Sequence, residues 1–310
     1  MRDFFAVVAR WSRERTPFAL ATLVDVRNAA PAPLGASMAA TADCTVAGDI
    51  GAGCYEGEIV EAAMETARDG KSRVLSIDLS SDDPLTGGTG CGGFLEVVTW
   101  RPPAGFDVVA GAIVAGRTDV TFPIAYEREG SMREFVMHVP ARRTLIVVGG
   151  TTLAKEVASF AARLEYRTVV VDPRPAFATP ERLAGVDEII VDWPQDVLAA
   201  MLSATTPLLV ISHDPKIDLP ALRAGLASEA PYIGLLGSHR AQEGRRAALR
   251  ADGFGEAALA RIHGPAGLDI GGVTMAETAV SIVAEIVAVA RERGGGPLLR
   301  HGGSIHNLAR

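Results

Sequence analysis

Short apolar runs alternate with amphipathic stretches through the second half of the chain. Five runs are rich in Val, Ile and Leu without polar alternation, at residues 144–148, 168–171, 188–191, 208–211 and 232–236. Such runs are typical of strands that are buried on both faces of a parallel sheet. The stretch after the first run places apolar residues on one helix face, at Leu153, Val157, Phe160 and Leu164. The repeated alternation predicts a doubly wound parallel sheet, a Rossmann-like α/β fold with right-handed crossovers.

Proline and acidic residues indicate where helices of this half begin. Thr179 stands before Pro180, and Asp218 stands two residues before another proline. Both are predicted N-caps, because proline favours the first helical turn. Asp192 begins a stretch that resembles a capping box. A last long helix is predicted over residues 276–293, and its apolar residues cover most of its circumference, which indicates burial on several sides.

The first 104 residues lack this rhythm and are predicted to form a mixed α/β domain. A helix is expected over residues 2–13 and another up to about 68, with strands around 19–26, 37–40, 44–47, 73–78 and 91–99. Residues 105–143 are predicted to connect the two halves through a hairpin. The Rossmann-like domain then takes residues 144–293, and the glycine-rich residues 294–310 are expected to form a flexible tail.

Composition and charge exclude several classes of protein. Thirty Lys and Arg residues against 37 Asp and Glu give a net charge of −7, and no segment is strongly basic, so a nucleic-acid partner is not expected. The most apolar stretch, residues 279–290, is too short to cross a bilayer of about 30 Å, and the first residues lack a signal-peptide core. Three cysteines disfavour a disulfide framework, and Cys44 fits a small buried hydrophobe. We therefore expect a cytoplasmic protein without membrane contact.

Polar residues follow the predicted parallel strands, where open α/β sheets bind ligands. Gly149 begins a loop like the dinucleotide fingerprint, but Thr151 replaces its second glycine and narrows the approach to a pyrophosphate. Asp172 lies at the spacing expected for an acid that contacts a ribose hydroxyl. The helix after Gly149 still presents free N–H groups to a phosphate, so a nucleotide or pterin phosphate stays possible as a ligand.

Two later strand ends add candidate ligand contacts. His213 follows the fourth run, and Ser238 with Arg240 after the fifth run offers an anion pocket, whose alternative interpretation is a simple helix N-cap. This half could also serve an NAD(P)-dependent oxidoreductase, in which His213 or His263 would act as the acid–base group. The threonine in the fingerprint weighs against that alternative.

Two cysteines stand in glycine-rich sequences that expose a thiol. Cys54 follows Gly53 just before a predicted helix, whose N-terminus lowers the pKa of a thiol and so favours metal ligation. Glu56 stands beside it as a proton acceptor or polar anchor. Cys91 is preceded by a glycine and followed by Gly92, which leaves its sulfur open to a large planar ligand.

These motifs resemble the XdhC/CoxI family, the accessory factors of xanthine-dehydrogenase-type molybdenum enzymes. The similarity covers most of the chain. In the first half it lies in Ala-Pro-Ala-Pro-Leu-Gly at 30–35, Gly-Cys-Tyr-Glu-Gly at 53–57 and Gly-Cys-Gly-Gly at 90–93. In the second half it lies in residues 212–218, 232–238 and 261–271, the last of which is long and specific.

The resemblance implies a non-catalytic chaperone that binds molybdenum cofactor, as molybdopterin or its dinucleotide form. It would protect the cofactor, assist its sulfuration and insert it into the large subunit of an apo-molybdoenzyme. Cys54 and Cys91 are then candidates for contacting the cofactor or its metal, since soft sulfur ligands suit such a centre. The further partners implied are a cysteine desulfurase, a molybdopterin nucleotidyltransferase and a second copy of the chain.

The chain departs from the family in its nucleotide loop. Residues 149–152 read Gly-Gly-Thr-Thr, whereas family members usually have Gly-Ala-Gly-His. The departure argues against NAD(P) binding by this half. A purely structural scaffold for a molybdoenzyme complex is a third interpretation, which predicts no bound cofactor and indifference to both cysteines.

Overall fold

The computed structural model describes residues 1–27, 32–51, 55–78 and 93–300. These residues fall into two compact units, the first within residues 1–141 and the second beginning at Arg142. Within the described ranges, no helix combines the length and the apolar character that a membrane span requires.

The first unit is built around an antiparallel sheet. Its described elements are α1 (Arg2–Arg13), β1 (Phe18–Arg27), β2 (Ser37–Thr41), β3 (Val46–Gly48), α2 (Glu56–Asp69), β4 (Arg73–Asp78), β5 (Phe94–Trp100), α3 (Phe106–Ala115), β6 (Val120–Arg128) and β7 (Ser131–Val139). Strands β1 to β5 pair in the order β3-β2-β1-β5-β4, and β6 with β7 forms a separate hairpin. The predicted mixed α/β architecture of this half is confirmed.

Apolar side chains cover both faces of the five-stranded sheet. On one face, Phe5 of α1 and Trp100 of β5 share a core with α3 and the hairpin. On the other face, Ile59 of α2 packs in a second core with Leu95 and Val97 of β5. Because successive strand residues point to opposite faces, β5 contributes to both cores and is buried along most of its length.

Residues 106–139 contribute to the first of these cores. Phe106 and Ile113 of α3 are buried there, together with Phe122 and Ile124 of β6. Sequence periodicity did not indicate α3, because nearly all of its residues are apolar and no face stands out. The hairpin shows the opposite behaviour, since buried and exposed residues alternate along β6.

The second unit is a parallel sheet with helices on both faces. Its elements are β8 (Arg143–Val148), α4 (Thr152–Arg163), β9 (Tyr166–Val171), β10 (Glu188–Ile190), α5 (Pro194–Met201), β11 (Leu208–Val210), α6 (Pro215–Ala227), β12 (Ile233–Leu235), α7 (His239–Ala251), α8 (Glu256–Leu259), β13 (Ile262–His263) and α9 (Met275–Ala290). The strand order is β10-β9-β8-β11-β12-β13. Leu145 and Val147 pack on the face of α4 and α9, whereas Ile146 and Val148 pack on the face of α5 and α6. The predicted Rossmann-like fold is confirmed.

Two predicted helix starts in this unit are wrong. The residues after Thr179 form turns. Helix α6 begins at Pro215 with Asp214 as its N-cap, so Asp218 lies one turn inside the helix. The reason is that Pro215, rather than Pro220, takes the first helical position.

Other expectations need smaller corrections. Cys44 is exposed rather than buried, because it lies with a φ of 71° in the turn between β2 and β3. Asp192 makes no capping box, since α5 begins at Pro194 without a side-chain cap. Helix α9 buries Ile282 and Ile286, but Val280 is 41% exposed, so the helix is covered over only part of its circumference. Residues 301–310 of the expected tail lie outside the described ranges.

Candidate functional site

The carboxyl edge of the parallel sheet collects most of the site residues predicted for the second unit. All six strands run in the same direction, so the loops that follow them meet at this edge. The strand order reverses between β8 and β11, and ligands of open α/β sheets bind at such a switch point. Gly149, Asp172, His213 and Ser238 all lie in loops at this edge.

The loop after β8 is held closely by two neighbouring loops. A Cβ at Gly149, which has a φ of 119°, would lie 2.7 Å from the backbone nitrogen of Ser212. A Cβ at Gly150 would lie 2.5 Å from the carbonyl oxygen of Phe177. Thr151 is the N-cap of α4, and its hydroxyl accepts a hydrogen bond from the Ala154 N–H at 3.3 Å. The two glycines therefore permit close packing of the loops. Thr151, which replaces the second glycine of the dinucleotide fingerprint, caps α4.

Asp172 is completely buried and is engaged by donors from its own unit. Its Oδ2 accepts from the Gly150 N–H at 2.7 Å and from Arg174 Nη2 at 2.7 Å, and its Oδ1 accepts from Arg174 Nε at 2.9 Å. Burial alone would raise the pKa of Asp172, but these hydrogen bonds outweigh it and hold that pKa below its usual value. A ribose hydroxyl at this position would have to compete with Arg174.

Beside this carboxylate lies an exposed, cationic surface. The Arg174 guanidinium lies 4.1 Å from the ring centroid of Phe177, and that of Arg182 lies 5.2 Å from the same ring. Phe177 is 37% exposed. Arg174 was not among the predicted site residues, although an arginine two residues after a candidate ribose-binding acid is a signal for it.

The loop after β11 presents His213 from a rigid base. His213 is exposed and has a φ of 62°, a left-handed conformation that histidine adopts more readily than most residues. Beneath it, the Ser212 hydroxyl donates to Asp218 Oδ1 at 2.5 Å, and Arg245 Nε of α7 donates to Asp218 Oδ2 at 2.8 Å. Asp218 and Arg245 are both buried. This network fixes the loop after β11 to α7.

Sequence reasoning missed the Asp218–Arg245 pair. A usable signal is that Gln242, Arg245 and Leu249 recur at helical spacing and are all buried in α7. A charged residue on a core-facing helical stripe indicates a buried partner, because an unpaired buried charge is costly.

The loop after β12 leads into α7. Ser238 is the N-cap of that helix, and its hydroxyl accepts from the Ala241 N–H at 3.3 Å. Gly237 has a φ of 133°, and Arg240 is exposed in the first turn. The helix-cap interpretation of Ser238 therefore holds, and Arg240 remains available beside the positive end of the helix.

In the first unit, Cys54, Cys91, Gly53 and Gly92 lie outside the described residues. Glu56 is described and is the first residue of α2, partly buried. What the structure does fix is the chain on either side of the two cysteine segments.

The described neighbours of the two cysteine segments meet at one end of the sheet. Tyr55, which follows Cys54, donates its hydroxyl to the carbonyl oxygen of Asp78 at 3.2 Å. Asp78 pairs with Phe94, which stands three residues after Cys91. Phe94 also pairs with Arg27, the last residue of β1. Both cysteine-bearing segments therefore join the unit beside the same strand end.

A charged cluster lies close to this strand end. Glu96 of β5 is almost completely buried, lies opposite Asp25 of β1 and forms an ion pair with Arg128 of the hairpin. Burial, and then the negative charge of Glu96, raise the pKa of the nearby Tyr126. Across the ranges that the structure covers, no group of three His, Cys, Asp or Glu residues is arranged to hold a metal ion.

Comparison with known families matches both units. The description "XdhC Rossmann domain" matches residues 145–286, and the description "XdhC and CoxI family" matches residues 11–78. A crystal structure of a xanthine dehydrogenase from Bacillus halodurans has the same fold, with a TM-score of 0.74, 24% identity, and coverage of 95% of this chain and 98% of that one.

Curated bacterial proteins are similar along most of the chain. The uncharacterized protein YqeB of Escherichia coli is 24% identical over 298 residues, and the match covers 96% of this chain but only 48% of YqeB, so the chain spans about half of that relative's length. The molybdenum cofactor insertion chaperone PaoD of Escherichia coli is 25% identical, with coverage of 87% and 82%. A probable xanthine dehydrogenase subunit of Bacillus subtilis is 23% identical, with coverage of 93% and 97%. The two family descriptions that match the two units both name XdhC, and the chain therefore belongs to the XdhC and CoxI family.

Proposed function

We propose that this protein binds molybdenum cofactor, protects it and inserts it into an apo-molybdoenzyme of the xanthine dehydrogenase type. The observation that carries the proposal is the similarity to PaoD, which extends over 87% of the chain and includes both units. The membership in the XdhC and CoxI family supports the same role.

In the first unit, we assign the contact with the cofactor's metal end to Cys54 and Cys91. The bound cofactor would supply a molybdenum–sulfur centre, and thiolates are soft ligands that suit such a centre. The Tyr55–Asp78–Phe94 contacts support a shared site, because they join the two cysteine-bearing segments to the same strand end. Gly53 and Gly92 in the adjoining segments would leave space for the cofactor at that site. Glu56 would accept a proton near the thiols.

In the second unit, we propose that the carboxyl edge binds a phosphate group. Gly149 begins the loop that leads into α4, and Ser238 is the N-cap of α7; free N–H groups at such helix starts attract anions. His213 and Arg240 are exposed at the same edge and can donate to phosphate oxygens. Asp172 would act indirectly, by holding Arg174 in place through its hydrogen bonds. NAD(P) is disfavoured as the ligand, because Asp172 is already engaged.

Partners beyond the target enzyme are part of the proposal. A cysteine desulfurase would supply the sulfur for sulfuration, and a molybdopterin nucleotidyltransferase would hand over a dinucleotide cofactor. A homodimer is the proposed assembly, supported by the exposed Val280 and Val287 on one side of α9. The cytoplasm, where such enzymes mature, is the proposed location.

Cofactor occupancy tests the proposal directly. The full chain is produced in a host that makes molybdenum cofactor, and molybdenum and oxidised pterin are measured per chain. We expect near-stoichiometric pterin in the wild type and a large loss in Cys54→Ala and in Cys91→Ala.

Cys44→Ala is the matched control, because Cys44 is exposed in a turn and its removal should leave occupancy unchanged. Absence of pterin from the wild type, even after cofactor is added, would contradict the role. Equal occupancy in all variants would remove the cysteines from the site. Binding of NAD(P) by the same preparation would favour the oxidoreductase alternative instead.

A further inference from the structure

His263, at the end of β13, belongs to a hydrogen-bonded cluster with Glu285 and Tyr232. Its Nδ1 lies 3.2 Å from Glu285 Oε1. The Tyr232 hydroxyl donates to Glu285 Oε2 at 2.7 Å, and the Gly267 N–H donates to the same oxygen at 2.8 Å. The ring centroids of Tyr232 and His263 lie 4.7 Å apart, and the two ring planes make an angle of 32°. The anchored carboxylate and the adjacent, tilted tyrosine ring thus hold the imidazole in a fixed orientation.

Two glycines make this cluster possible. A Cβ at Gly234 would lie 2.6 Å from Tyr232 Cε1, so the missing side chain lets the tyrosine ring lie along β12 towards the carboxyl edge. A Cβ at Gly267, which has a φ of 113°, would lie 2.4 Å from the hydroxyl oxygen of Ser281. Gly267 can therefore approach α9 closely enough to donate its N–H to Glu285.

The chemistry of the cluster leaves one nitrogen of the imidazole for a ligand. Burial alone would raise the pKa of Glu285, but hydrogen bonds from His263, Tyr232 and the Gly267 N–H hold that pKa below its usual value. Glu285 is therefore a carboxylate, and it keeps a proton on Nδ1 of His263. Nε2 has no hydrogen-bond partner among the described residues, and the side chain is 31% exposed. In the imidazolium form both ring nitrogens carry protons, so Nε2 is then the donor that is left for a ligand while Nδ1 faces Glu285.

The neighbourhood of His263 is one that favours an anion. Gln242 in the first turns of α7 donates through Nε2 to the carbonyl oxygen of Leu235 at 2.9 Å, and its Oε1 would lie 2.3 Å from a Cβ at Gly264. Gln242 therefore brings the start of α7 directly beside the residue after His263. That start carries the exposed Arg240 and the positive end of a 13-residue helix.

We propose that His263 is a phosphate-binding residue of the carboxyl edge, and that Glu285 is the positioning residue that orients it. The inference rests on, and deepens, the proposed phosphate-binding role of this edge. The ligand class is an organic phosphate or pyrophosphate. A nucleotide and a phosphorylated pterin offer the same chemistry, and the experiment separates them.

The first measurement uses the full chain with inorganic pyrophosphate as the probe. Titration calorimetry should show that His263→Asn weakens binding about tenfold or more, since a charge-assisted hydrogen bond is lost. Glu285→Gln should weaken binding less. His138→Asn is the matched control, because His138 also lies beside a carboxylate, 3.3 Å from Asp119, but in the first unit. It should bind pyrophosphate like the wild type.

The second measurement needs no variant of His263. Long-range ¹H–¹⁵N NMR should find the neutral ring as the Nδ1–H tautomer in the wild type and as a mixture of tautomers in Glu285→Gln. Pyrophosphate should shift the His263 resonances. An Nε2–H tautomer in the wild type would overturn the positioning role of Glu285, and His263 resonances that pyrophosphate leaves unmoved would overturn the binding role of His263.

The outcomes separate this inference from the proposed function. If the wild type binds pyrophosphate and His263→Asn binds it equally well, the role of His263 is overturned, and the phosphate role of the carboxyl edge is not. A wild type that carries pterin but binds no pyrophosphate would overturn the phosphate role of this edge and leave the cofactor role standing. Binding of ADP and the content of copurified pterin, both measured in His263→Asn, identify the source of the phosphate group. A variant that still binds ADP but has lost its pterin assigns the phosphate to the pterin. A variant that keeps its pterin but no longer binds ADP assigns the phosphate to a nucleotide.

Discussion

Two aspartate–arginine pairs lie at the carboxyl edge of the second unit, and they differ in how far water reaches the arginine. The Asp172–Arg174 pair has a buried carboxylate, but the arginine side chain is 31% exposed. In the Asp218–Arg245 pair the arginine side chain is only 9% exposed. Arg174 comes from the same loop as its partner, whereas Arg245 reaches Asp218 from another helix. In the first pair Arg174 stays bound to Asp172 while part of its side chain faces water, whereas the second pair joins α6 to α7 away from water.

The largest expected effect comes from breaking the buried pair. Arg245→Met keeps most of the side-chain volume but leaves the Asp218 carboxylate uncompensated, which should lower the free energy of unfolding by about 3–5 kcal/mol. Urea denaturation followed by circular dichroism measures it. Arg223→Met is the matched control on the exposed Arg223–Asp252 pair, 2.7 Å apart, and should cost less than about 1 kcal/mol. Equal losses in both variants would contradict the distinction.

Closing the space between the loops should have the next largest effect. Gly150→Ala places a Cβ 2.5 Å from the Phe177 carbonyl oxygen, and this overpacking should cost about 1–3 kcal/mol. Gly244→Ala in α7 meets nothing within 4 Å and should be neutral or stabilising. Thermal unfolding of the two variants side by side tests the contrast. A stable Gly150→Ala variant would mean that the loop around Phe177 moves easily.

Removing the partly exposed Arg174 should lower stability less than removing the buried Arg245. Arg174→Ala should lower stability by about 1–2 kcal/mol at neutral pH, because the Gly150 N–H and the backbone N–H of residue 174 still donate to Asp172. The depressed pKa of Asp172 stabilises the fold above the usual aspartate pKa, and that contribution is lost as the pH falls through the folded-state value. The difference between wild type and variant should therefore shrink below about pH 4. A difference that is constant down to about pH 2 would exclude Asp172 as its source.

The smallest expected effect on stability concerns Thr151, which replaces the second glycine of the dinucleotide fingerprint. Thr151→Ala removes the cap of α4 and should cost about 1 kcal/mol, whereas Thr151→Gly should cost only a few tenths of a kcal/mol. If Asp172 is closed to ribose by Arg174, Thr151→Gly should also gain no affinity for NAD. Fluorescence titration with NADH checks this. Tight NADH binding by Thr151→Gly would show that the threonine, and not Arg174, excludes the nucleotide.

The sequence predicts the second unit well, because its strands are buried on both faces and leave uninterrupted apolar runs. Asp172, His213 and Ser238 were correctly placed at strand ends for the same reason. The Asp218–Arg245 pair could not be predicted, because its partners are 27 residues apart and their meeting depends on how α6 and α7 pack. Local signals even misled at Asp218, which resembles a helix cap beside a proline.

In the first unit the limits have different causes. Helix α3 was hidden by uniform apolarity, and Cys44 was assigned to the core from its residue type alone. The assignment of Cys54 and Cys91 to a cofactor site stays a prediction, which the contacts of Tyr55 and Phe94 support.

The pairing order of the first sheet also bears on synthesis at the ribosome. Strand β5 lies between β1 and β4, and Phe94 pairs with both Arg27 and Asp78. An emerging chain can therefore pair β1 with β2 early, but it must close a long loop before β5 can join β1. The strand end beside both cysteine-bearing segments is complete only after translation has passed residue 100. A nascent chain shorter than this has no assembled strand end to offer a cofactor.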